Sequence, residues 1–382
     1  MISKKMTRFF RILLIAAFVA PCLSTAAFAA SYYVDSVSGN DTNAGSLSAP
    51  WKTVAKVNGR SFTAGDTIYF KCGGIWNEGL RPVSGVSGSP VVYSSYGSGT
   101  KPVIDRCDLT NKSYVRLQSI SFISQSNYPL NLYNSTYNDI ENCDIIADVN
   151  NTAAWAALFI QMNSHHNKII NCTIERRNTN SQGDAVNLIR NANYNLILGN
   201  KIGTATHYAL SLEGSNGSYP TYVCSYNIIR NNTINNAHGG QYAAVSNSNR
   251  NVVDGNTIAG GKSSSYSNNA DHSLKNVSSY NIIRRNVVTN NTDSNSWGIS
   301  SVAYQYNSEP ANNVVANRIY NNVVANIYAN AVVIDNYLPS VCQVSNNVYR
   351  NNIFFNNGAG NNGLQFKITS YVSGPTYLNN NI

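Results

Sequence analysis

The sequence predicts an all-β fold, a single-stranded right-handed parallel β-helix of about ten to twelve coils with three strands in each coil. Three observations predict it. An eight-residue phrase recurs ten times, its apolar positions are nearly all Val or Ile, and a short apolar segment follows most copies after a variable loop. A period of about 30 residues is typical of a solenoid, in which each repeat is one coil stacked on the last. The handedness follows from the crossover preference of parallel strands.

The repeated phrase reads N-x-I-x-x-N-x-I. Its clearest copies are Asn195–Ile202, Asn227–Ile234, Asn251–Ile258 and Asn281–Val288. Looser copies start at Ser113, Asn138, Asn167, Asn317, Asn346 and Pro375. The third and eighth positions carry β-branched residues, which suit a pleated strand better than a helix. They alternate with polar residues, so each copy predicts two short strands with one buried face.

The sixth position of the phrase is Asn in seven copies, namely Asn200, Asn232, Asn256, Asn286, Asn322, Asn351 and Asn380. Asn tolerates left-handed backbone angles and forms hydrogen bonds within its own turn. Stacked in successive coils, such residues can also form an amide ladder. We interpret them as structural and assign them no part in a functional site.

Tyrosines precede the first Asn of four copies, at Tyr137, Tyr194, Tyr226 and Tyr280. We expect them to stack as a ladder at a turn, and a sugar-binding platform is the alternative. A third strand per coil is predicted by a small-apolar-x-apolar pattern that follows the variable loop. This pattern occurs at Ala185–Leu188, Ala209–Leu212, Gly298–Val302, Ala331–Ile334 and Gly363–Phe366.

The first residues have the pattern of a secretory signal peptide. Four basic residues within 4–11 precede an apolar run at 12–23, and Ala27–Ala29 supplies the small residues that a signal peptidase requires. We therefore expect residues 1–29 to be removed, 30–105 to form an N-terminal β cap with the first coils, and 106–382 to form the repeats. Location outside the cytoplasm follows: secreted, periplasmic or at the cell surface. A retained membrane anchor is the alternative, and Pro21 within the run argues against it.

No other segment is apolar enough to span a bilayer, so no membrane contact is expected after cleavage. The last phrase stops at Ile382 in the middle of a coil. We expect a fragment or truncated reading frame, or a terminal coil that a partner covers. The sequence does not predict an oligomeric state.

The charge balance and composition favour a polysaccharide partner. The formal net charge of +9 falls to +5 without residues 1–29, and most polar residues are uncharged. Neutral polar surfaces with aromatic residues suit sugars, and the residual positive charge favours an acidic polymer. The sequence contains no basic run or nucleic-acid motif, so nucleic acid is not expected as a partner.

Six cysteines remain after cleavage, and no C-x-x-C pattern supports zinc or thioredoxin-type chemistry. Export permits disulfides. A Cys72–Cys107 bridge is favoured because both residues flank the short strands of the cap. Cys143 and Cys172 occupy one motif position in adjacent coils, so they either form a disulfide or fill the ladder.

The N-terminal segments resemble a known group of proteins. The stretches YYVDSVSGNDTNAG (32–45), PWKTVAKV (50–57) and AGDTIYF (64–70), followed by the repeats, are similar to the pectate-lyase-like superfamily of secreted right-handed β-helix proteins. The resemblance covers essentially all of the mature chain and implies the fold. It leaves the reaction open, because that superfamily includes polysaccharide lyases, glycoside hydrolases, uronan epimerases and members without known activity.

Ionisable and aromatic residues recur near the third strand of consecutive coils. They are Asp184, His207, Tyr208, Glu213, His238, Tyr242, Asp271, His272, Lys275 and Trp297. The strand register predicts one outward column of Asp184, Tyr208, His272 and Trp297, and a second column of Asn187, Ser211 and Lys275. Because coils stack about 4.8 Å apart, these groups could surround two or three sugar units.

We expect this surface to cleave a uronic-acid polymer by β-elimination, which requires a neutralised carboxylate, a base and an acid. The predicted catalytic residues are Lys275, His272, His207 and Asp184. The predicted substrate-binding residues are Tyr208, Asn187, His238, Tyr242 and Trp297. Calcium is the candidate cofactor, with Asp184, Glu213 and Asp271 as ligands, although the resemblance implies a tighter acidic cluster than this sequence shows.

Three alternatives remain open. Glycoside hydrolysis would use Asp184 with Glu213 as its two carboxylates, but the paired Asp-Asp patterns of the galacturonan hydrolases are absent. Uronan epimerases carry a short Asp/His motif that Asp271-His272 partly resembles. A non-catalytic adhesin or carbohydrate-binding protein would show the same repeats. In that case Asp184 caps a turn, the histidines belong to loops, and Lys275 is a solvated surface group.

Overall fold

The computed structural model describes residues 29–214, 221–237, 242–245, 247–260, 272–291, 294, 296–303, 313–360 and 365–382. Positions 236–237, 242–245, 272–273 and 275 are described by their backbone alone. The predicted signal peptide, Ala29 apart, lies outside the described residues. Within them, no helix has the length and apolar character needed to cross a membrane.

Strands stack in parallel into three faces, which we name the first, second and third sheets. The first sheet has 13 strands. They are Ser31–Val34, Thr67–Lys71, Val91–Tyr96, Val115–Gln118, Asp139–Glu141, Lys168–Ile170, Leu196–Leu198, Ile228–Arg230, Val252–Asp254, Ile282–Arg284, Arg318–Tyr320, Asn347–Arg350 and Thr376–Asn379.

The second and third sheets are joined through one shared strand near the N-terminus, Val103–Asp108, which pairs with a strand of each. The second sheet consists of Ile75–Leu80, Val103–Asp108, Ser121–Ser124, Asp144–Ala147, Thr173–Arg176, Lys201–Ala205, Thr233–Ala237, Thr257–Ala259, Val287–Asn291, Val323–Ile327 and Ile353–Phe355. The third consists of Leu130–Tyr133, Ala156–Gln161, Asp184–Ile189, Leu210–Glu213, Tyr242–Val245, His272–Asn276, Trp297–Ala303, Asn330–Asn336 and Phe366–Ile368. A small pair, Val314–Val315 with Val344–Ser345, completes the described strands.

This arrangement confirms the predicted parallel β-helix with three strands per coil. The first sheet holds 13 strands rather than ten to twelve, because residues 31–96 contribute three of them instead of one or two. The cap also contains a short helix that the sequence analysis did not predict, Val54–Asn58, whose N-terminus is capped by the Thr53 side chain. The helix buries Val54 and Val57.

The phrase occupies the predicted register from Asn138 to Asn317 but not in the outer copies. Near the C-terminus the inward residue is Tyr349 rather than Val348, and the ladder residue is Asn352 rather than Asn351. In the first copy Leu117 pairs with Ile140, so that copy starts at Val115. Near the C-terminus the slip is one residue, which exchanges the two faces of a strand, and the adjacent Asn residues there fit either register. In the first copy the shift is two residues, so Val115 and Leu117 both face inward.

Buried amides run along the solenoid in two columns. The first Asn ladder consists of Asn138, Asn167, Asn195, Asn227, Asn251, Asn281, Asn317 and Asn347. The second consists of Asn200, Asn232, Asn256, Asn286, Asn322, Asn352 and Asn381. In the second ladder each side-chain oxygen accepts the backbone N–H and the amide N–H of the residue one coil earlier. The amide also donates to a backbone carbonyl, as Asn232 does to Ile197 at 2.9 Å.

The left-handed backbone of this turn belongs to the fifth position of the phrase, not to the sixth as predicted. Asn231 and Asn321 have φ of 54° and 56°, and Gly199 and Gly255 have φ of 68°. The sixth-position Asn is instead free to turn its side chain inward. The turn was therefore predicted at the correct place, but the left-handed backbone and the ladder side chain belong to two neighbouring residues rather than to one.

The cysteines of the described chain are free. The expected Cys72–Cys107 disulfide is therefore wrong: Cys107 packs in the core at 1% exposure, and Cys72 lies half-buried at the end of a strand. Cys143 and Cys172 extend the second Asn ladder, since the N–H of Cys143 lies 3.4 Å from the Cys172 Sγ and the N–H of Cys172 donates to Asn200. Burial raises the pKa of the Cys143 thiol.

The predicted tyrosine ladder is confirmed for Tyr137, Tyr194 and Tyr226 and includes a histidine, whereas the fourth predicted member, Tyr280, has the Arg250 guanidinium over its ring. Neighbouring rings lie 4.8 to 5.2 Å apart along Tyr114, Tyr137, His166, Tyr194 and Tyr226. Their planes differ by 20° or less. Because the rings cover each other's faces, the column offers ring edges to solvent. Sugars stack on ring faces, so this geometry favours the structural interpretation over a sugar platform.

Replacement of Asn232 by Ala tests the ladder. It leaves the Ile197 carbonyl and two donors of Asn200 without their partner, and it removes one of the two N–H groups that the Asn256 oxygen accepts. Buried unsatisfied groups each cost roughly 1–3 kcal/mol, so we expect a loss of about 3 kcal/mol after relaxation. The urea midpoint measures it. The adjacent exposed Thr233→Ala is the control and should change stability by under about 0.5 kcal/mol; equal effects of the two variants would contradict a structural role of the ladder.

Candidate active site

Five polar side chains on and beside the third sheet are linked by hydrogen bonds. They are Asp184, Asn187, His207, Ser211 and Glu213, and we name this group the Asp184 cluster. Asp184 opens the strand Asp184–Ile189, and Ser211 and Glu213 lie on the next strand, Leu210–Glu213. Pairing of these strands places Asn187 beside Ser211, so residues far apart in sequence become neighbours.

Asp184 is fully buried, and its two oxygens accept four hydrogen bonds. Oδ1 accepts from the His207 Nδ1 at 2.8 Å and from the backbone N–H of Tyr208 at 2.9 Å. Oδ2 accepts from Asn187 at 2.8 Å and from the Ser211 hydroxyl. Several donors of this kind stabilise a buried carboxylate. Asp184 therefore orients its neighbours and has no free oxygen for a substrate.

The His207 ring is hydrogen-bonded through one nitrogen and is partly exposed to solvent. Its Nδ1 is bound to Asp184, its side chain retains 22% exposure, and its ring packs against Trp155 and Tyr208 at centroid distances of 5.8 and 4.0 Å. A neutral imidazole whose Nδ1–H is donated to a carboxylate presents the lone pair of Nε2. Among the described residues Nε2 has no hydrogen-bond partner, so this nitrogen can take up or deliver a proton.

Asn187 connects Asp184 to Glu213. Its Nδ2 donates to Asp184 and, at 3.3 Å, to the Glu213 Oε1. Its Oδ1 is buried and has no donor among the described residues. An unpaired buried oxygen is costly. Asn187 has no exposed surface, so its side chain links the two carboxyl groups, and its predicted contact with a sugar stays a prediction.

Two residues of the site were missed by the sequence analysis. Trp155 precedes the strand Ala156–Gln161 in a segment without a recognised motif, and it forms a wall against His207. Arg176 is fully buried beneath Gly183 and donates to the Ala154 carbonyl at 3.0 Å and to the Thr206 hydroxyl at 3.2 Å. Burial lowers the pKa of Arg176, and the nearby charge of Asp184 opposes this.

Gly183 makes the close approach of Arg176 possible. A Cβ at this position would lie 2.3 Å from the Arg176 Nε and 2.5 Å from the Trp155 carbonyl. Among the predicted residues, the structure thus brings Asp184, His207, Tyr208, Asn187 and Glu213 together. The Gly183-Asp184 pair was the signal in the sequence that could have pointed to such a close contact.

Four other predicted residues lie farther along the third sheet, namely Tyr242, His272, Lys275 and Trp297. Lys275 shares the column of Asn187 and Ser211, as predicted, two strands beyond Ser211 and so about 9.6 Å along the axis. His272 pairs in register with Trp297. Of His272, Lys275 and Tyr242 only the backbone is described, and His238 and Asp271 lie outside the described residues.

The described donors do not suit a calcium ion. Ligand atoms of Asp184, His207 and Glu213 lie within 4.8 Å of one another. However, both Asp184 oxygens and the His207 Nδ1 are already used in hydrogen bonds between protein groups. Calcium takes six to eight oxygen ligands, and the third predicted ligand, Asp271, lies outside the described residues. Calcium remains a prediction, and we derive no chemical step through it.

Comparison with known proteins adds a short sequence match. No protein-family model matches the chain. A lacto-N-biosidase of Bifidobacterium longum subsp. longum is 36% identical over 110 residues, which cover 22% of this chain and only 7% of that enzyme.

Solved structures match over most of the chain. A mannuronic acid specific polysaccharide family 6 lyase from human gut microbiota superposes with a TM-score of 0.58 and 14% identity, covering 89% of this chain and 83% of the lyase. The GH136 lacto-N-biosidase of Eubacterium ramulus superposes with a TM-score of 0.52 and 13% identity, covering 91% and 68%. The right-handed β-helix fold implied by the resemblance to pectate lyases is thereby confirmed.

The hydrogen bond between Asp184 and His207 predicts the tautomer of the neutral ring. We expect the proton on Nδ1, because the buried carboxylate oxygen requires a donor there. Long-range ¹⁵N–¹H NMR of the His207 ring measures this, with His207→Gln for assignment. Asp184→Asn should give a mixture of tautomers, whereas the control Glu213→Gln keeps the Nδ1 contact and should not. A neutral ring protonated on Nε2 in the unmodified protein would contradict the geometry.

Proposed function

We propose that this protein is an exported polysaccharide lyase that cleaves a uronic-acid-containing polymer by β-elimination, with His207 transferring the proton. One observation carries the proposal: a buried, fully hydrogen-bonded Asp184 fixes His207 by Nδ1, and Nε2 stays available. An imidazole oriented in this way is suited to general acid–base chemistry near neutral pH.

The reaction requires few groups. A base removes the proton beside the sugar carboxylate, the electron pair of that C–H bond forms a C=C bond, and the C–O bond to the neighbouring sugar breaks. The departing oxygen takes a proton from an acid. We assign the base to His207. Lys275, farther along the column of Ser211, is a residue type suited to hold the substrate carboxylate or to supply the acid.

The geometry favours elimination over hydrolysis. Hydrolysis by two carboxylates requires both to reach the scissile bond. Of the predicted pair, Asp184 has no exposed surface and no free oxygen, so Glu213 alone could contact a sugar. Glu213 is better explained as a substrate-binding group that accepts hydrogen bonds from sugar hydroxyls, and the buried Asn187 as the residue that orients it.

A glycoside hydrolase is the second candidate, and one observation favours it. The 36% identical segment belongs to a lacto-N-biosidase. In that case Glu213 supplies one carboxylate, and the second comes from a residue outside the Asp184 cluster. The two candidates differ in their products, because only elimination leaves an unsaturated sugar.

Incubation of the purified protein with pectate, alginate, glycosaminoglycans and neutral glycans tests the proposal. We expect an unsaturated product from an acidic polymer, detected by its ultraviolet absorbance. New reducing ends without unsaturation would establish the hydrolase instead. Binding without either product would establish a non-catalytic carbohydrate-binding protein. Addition of EDTA tests the predicted calcium dependence: a loss of turnover that Ca²⁺ restores would support it, and unchanged turnover would agree with the poor fit of the described donors.

A histidine substitution tests the assigned base. His207→Gln should lower kcat by about 10²–10⁴-fold, the usual contribution of general acid–base catalysis. The matched control is His165→Gln, which changes a histidine in a turn outside the Asp184 cluster and should retain full activity. Equal activity of the His207→Gln variant and the unmodified protein would exclude His207 as the base.

A further inference from the structure

The first sheet carries an unusual group of charges away from the Asp184 cluster. Asp254 is fully buried, yet three arginines from two other coils point to it. Arg285 donates to both carboxylate oxygens at 2.7 and 2.6 Å, while Arg230 and Arg284 each lie 3.2 Å from Oδ2. The side chains of Arg230, Arg284 and Arg285 retain 38, 31 and 59% exposure. One negative charge therefore anchors three partly exposed cations.

The cluster keeps its charges and has unused donors. Hydrogen bonds from Arg285, together with those from Arg284, lower the pKa of Asp254 although burial opposes this, so the carboxylate stays ionised. The Arg284 Nε is buried and has no acceptor in the described chain. Arg284 is also held from the other side by the Tyr320 hydroxyl at 3.1 Å. Two positive charges remain uncompensated, with their side chains preorganised.

Further arginines extend the cluster along the axis of the solenoid. Arg350 pairs in register with Tyr320, which itself pairs with Arg284, and Arg318 pairs with Ile282. Both Arg318 and Arg350 are exposed. Among the described first-sheet strands from Ile228 onward, Asp254 is the only acidic residue. In earlier strands of the same sheet basic side chains pair with an acidic one, since Arg116 and Lys168 both lie against Asp139.

We propose that Arg230, Arg284, Arg285, Arg318 and Arg350 form an accessory binding strip for a linear acidic polysaccharide on the first sheet. Arginine is suited to this because its planar fork binds carboxylates in a bidentate manner. In the column of Arg230, Arg284 and Arg350 the cations recur at every second strand, about 9.6 Å apart. A row of regularly spaced cations fits a chain with regularly spaced anions. The strip lies on a different face from the Asp184 cluster, so one polymer could be held while the third sheet engages another segment.

The test variant must leave Asp254 with a partner, because an uncompensated buried charge is strongly destabilising. Arg230→Gln, Arg318→Gln and Arg350→Gln combined retain both bonds of Arg285 to Asp254. The matched control removes three exposed cations elsewhere, by Lys52→Gln, Arg81→Gln and Lys201→Gln. Both sets are built in the His207→Gln background, and equal urea midpoints show that the variants are folded.

Calorimetric titration with polygalacturonate and alginate then measures binding. We expect at least a tenfold weaker Kd for the strip variant and less than a twofold change for the control. Equal weakening in both variants, or no change in the strip variant, would overturn the proposal. A sulfated glycan without carboxylates separates the possible anions, and tighter binding of it than of the uronans would overturn the assignment to carboxylates. Because binding is measured, the result is independent of whether the protein is a lyase.

Discussion

The solenoid depends on buried amides that satisfy the backbone where each coil turns. A turn inside a stack exposes N–H and carbonyl groups to a dry environment, and those groups must be paired. The second Asn ladder does this with one residue per coil: the oxygen of Asn256 accepts two N–H groups of Asn232, and its amide reaches the Ile229 carbonyl at 3.0 Å. Hydrophobic burial of the Ile and Val columns then becomes possible without unpaired polar groups beside it.

This constraint also positions the functional surfaces. Because the ladders fix the axial stacking of coils, side chains separated by 23 to 27 residues, such as Asp184, His207 and Ser211, meet within hydrogen-bonding distance. The same stacking brings Arg230 and Arg285, from coils on either side, onto Asp254. Each face of the solenoid can therefore carry its own chemistry on a common support. The proposed catalytic surface and the proposed polyanion strip use two different faces.

Much of the fold could be predicted because the repeat is regular. Near the C-terminus the register failed because the phrase is ambiguous: Asn351 and Asn352 are adjacent, and the choice between them depends on whether Val348 or Tyr349 fills the core. In the first copy it failed because Val115 and Leu117 are both apolar and lie on the same face. The left-handed residue was misassigned for a related reason, since Asn is suited both to such a backbone and to an amide ladder. Neither distinction can be made without the packing of neighbouring coils.

The candidate site was predicted in part. Asp184 shares a column with Tyr208 in the next coil, and His207 directly precedes Tyr208, so periodicity alone placed Asp184 and His207 near each other. Arg176 and Trp155 escaped because one ends a strand of another sheet and the other lies in a loop. Asp254 stands at a variable position of the phrase, and its three arginines come from two other copies. Its charge cluster is visible only once the coils are aligned.

The coil lengths have a consequence for how such proteins change over time. Asn227 and Asn251 are 24 residues apart, and Asn281 and Asn317 are 36 apart, yet the backbone N–H to side-chain oxygen distances are 2.9 and 2.8 Å. The difference of 12 residues between these coils therefore does not alter the rise of the stack. Insertions and deletions between ladders are thus tolerated. Substrate preference can diverge through changes in loop length while the stacked strands and the Asn ladders are kept.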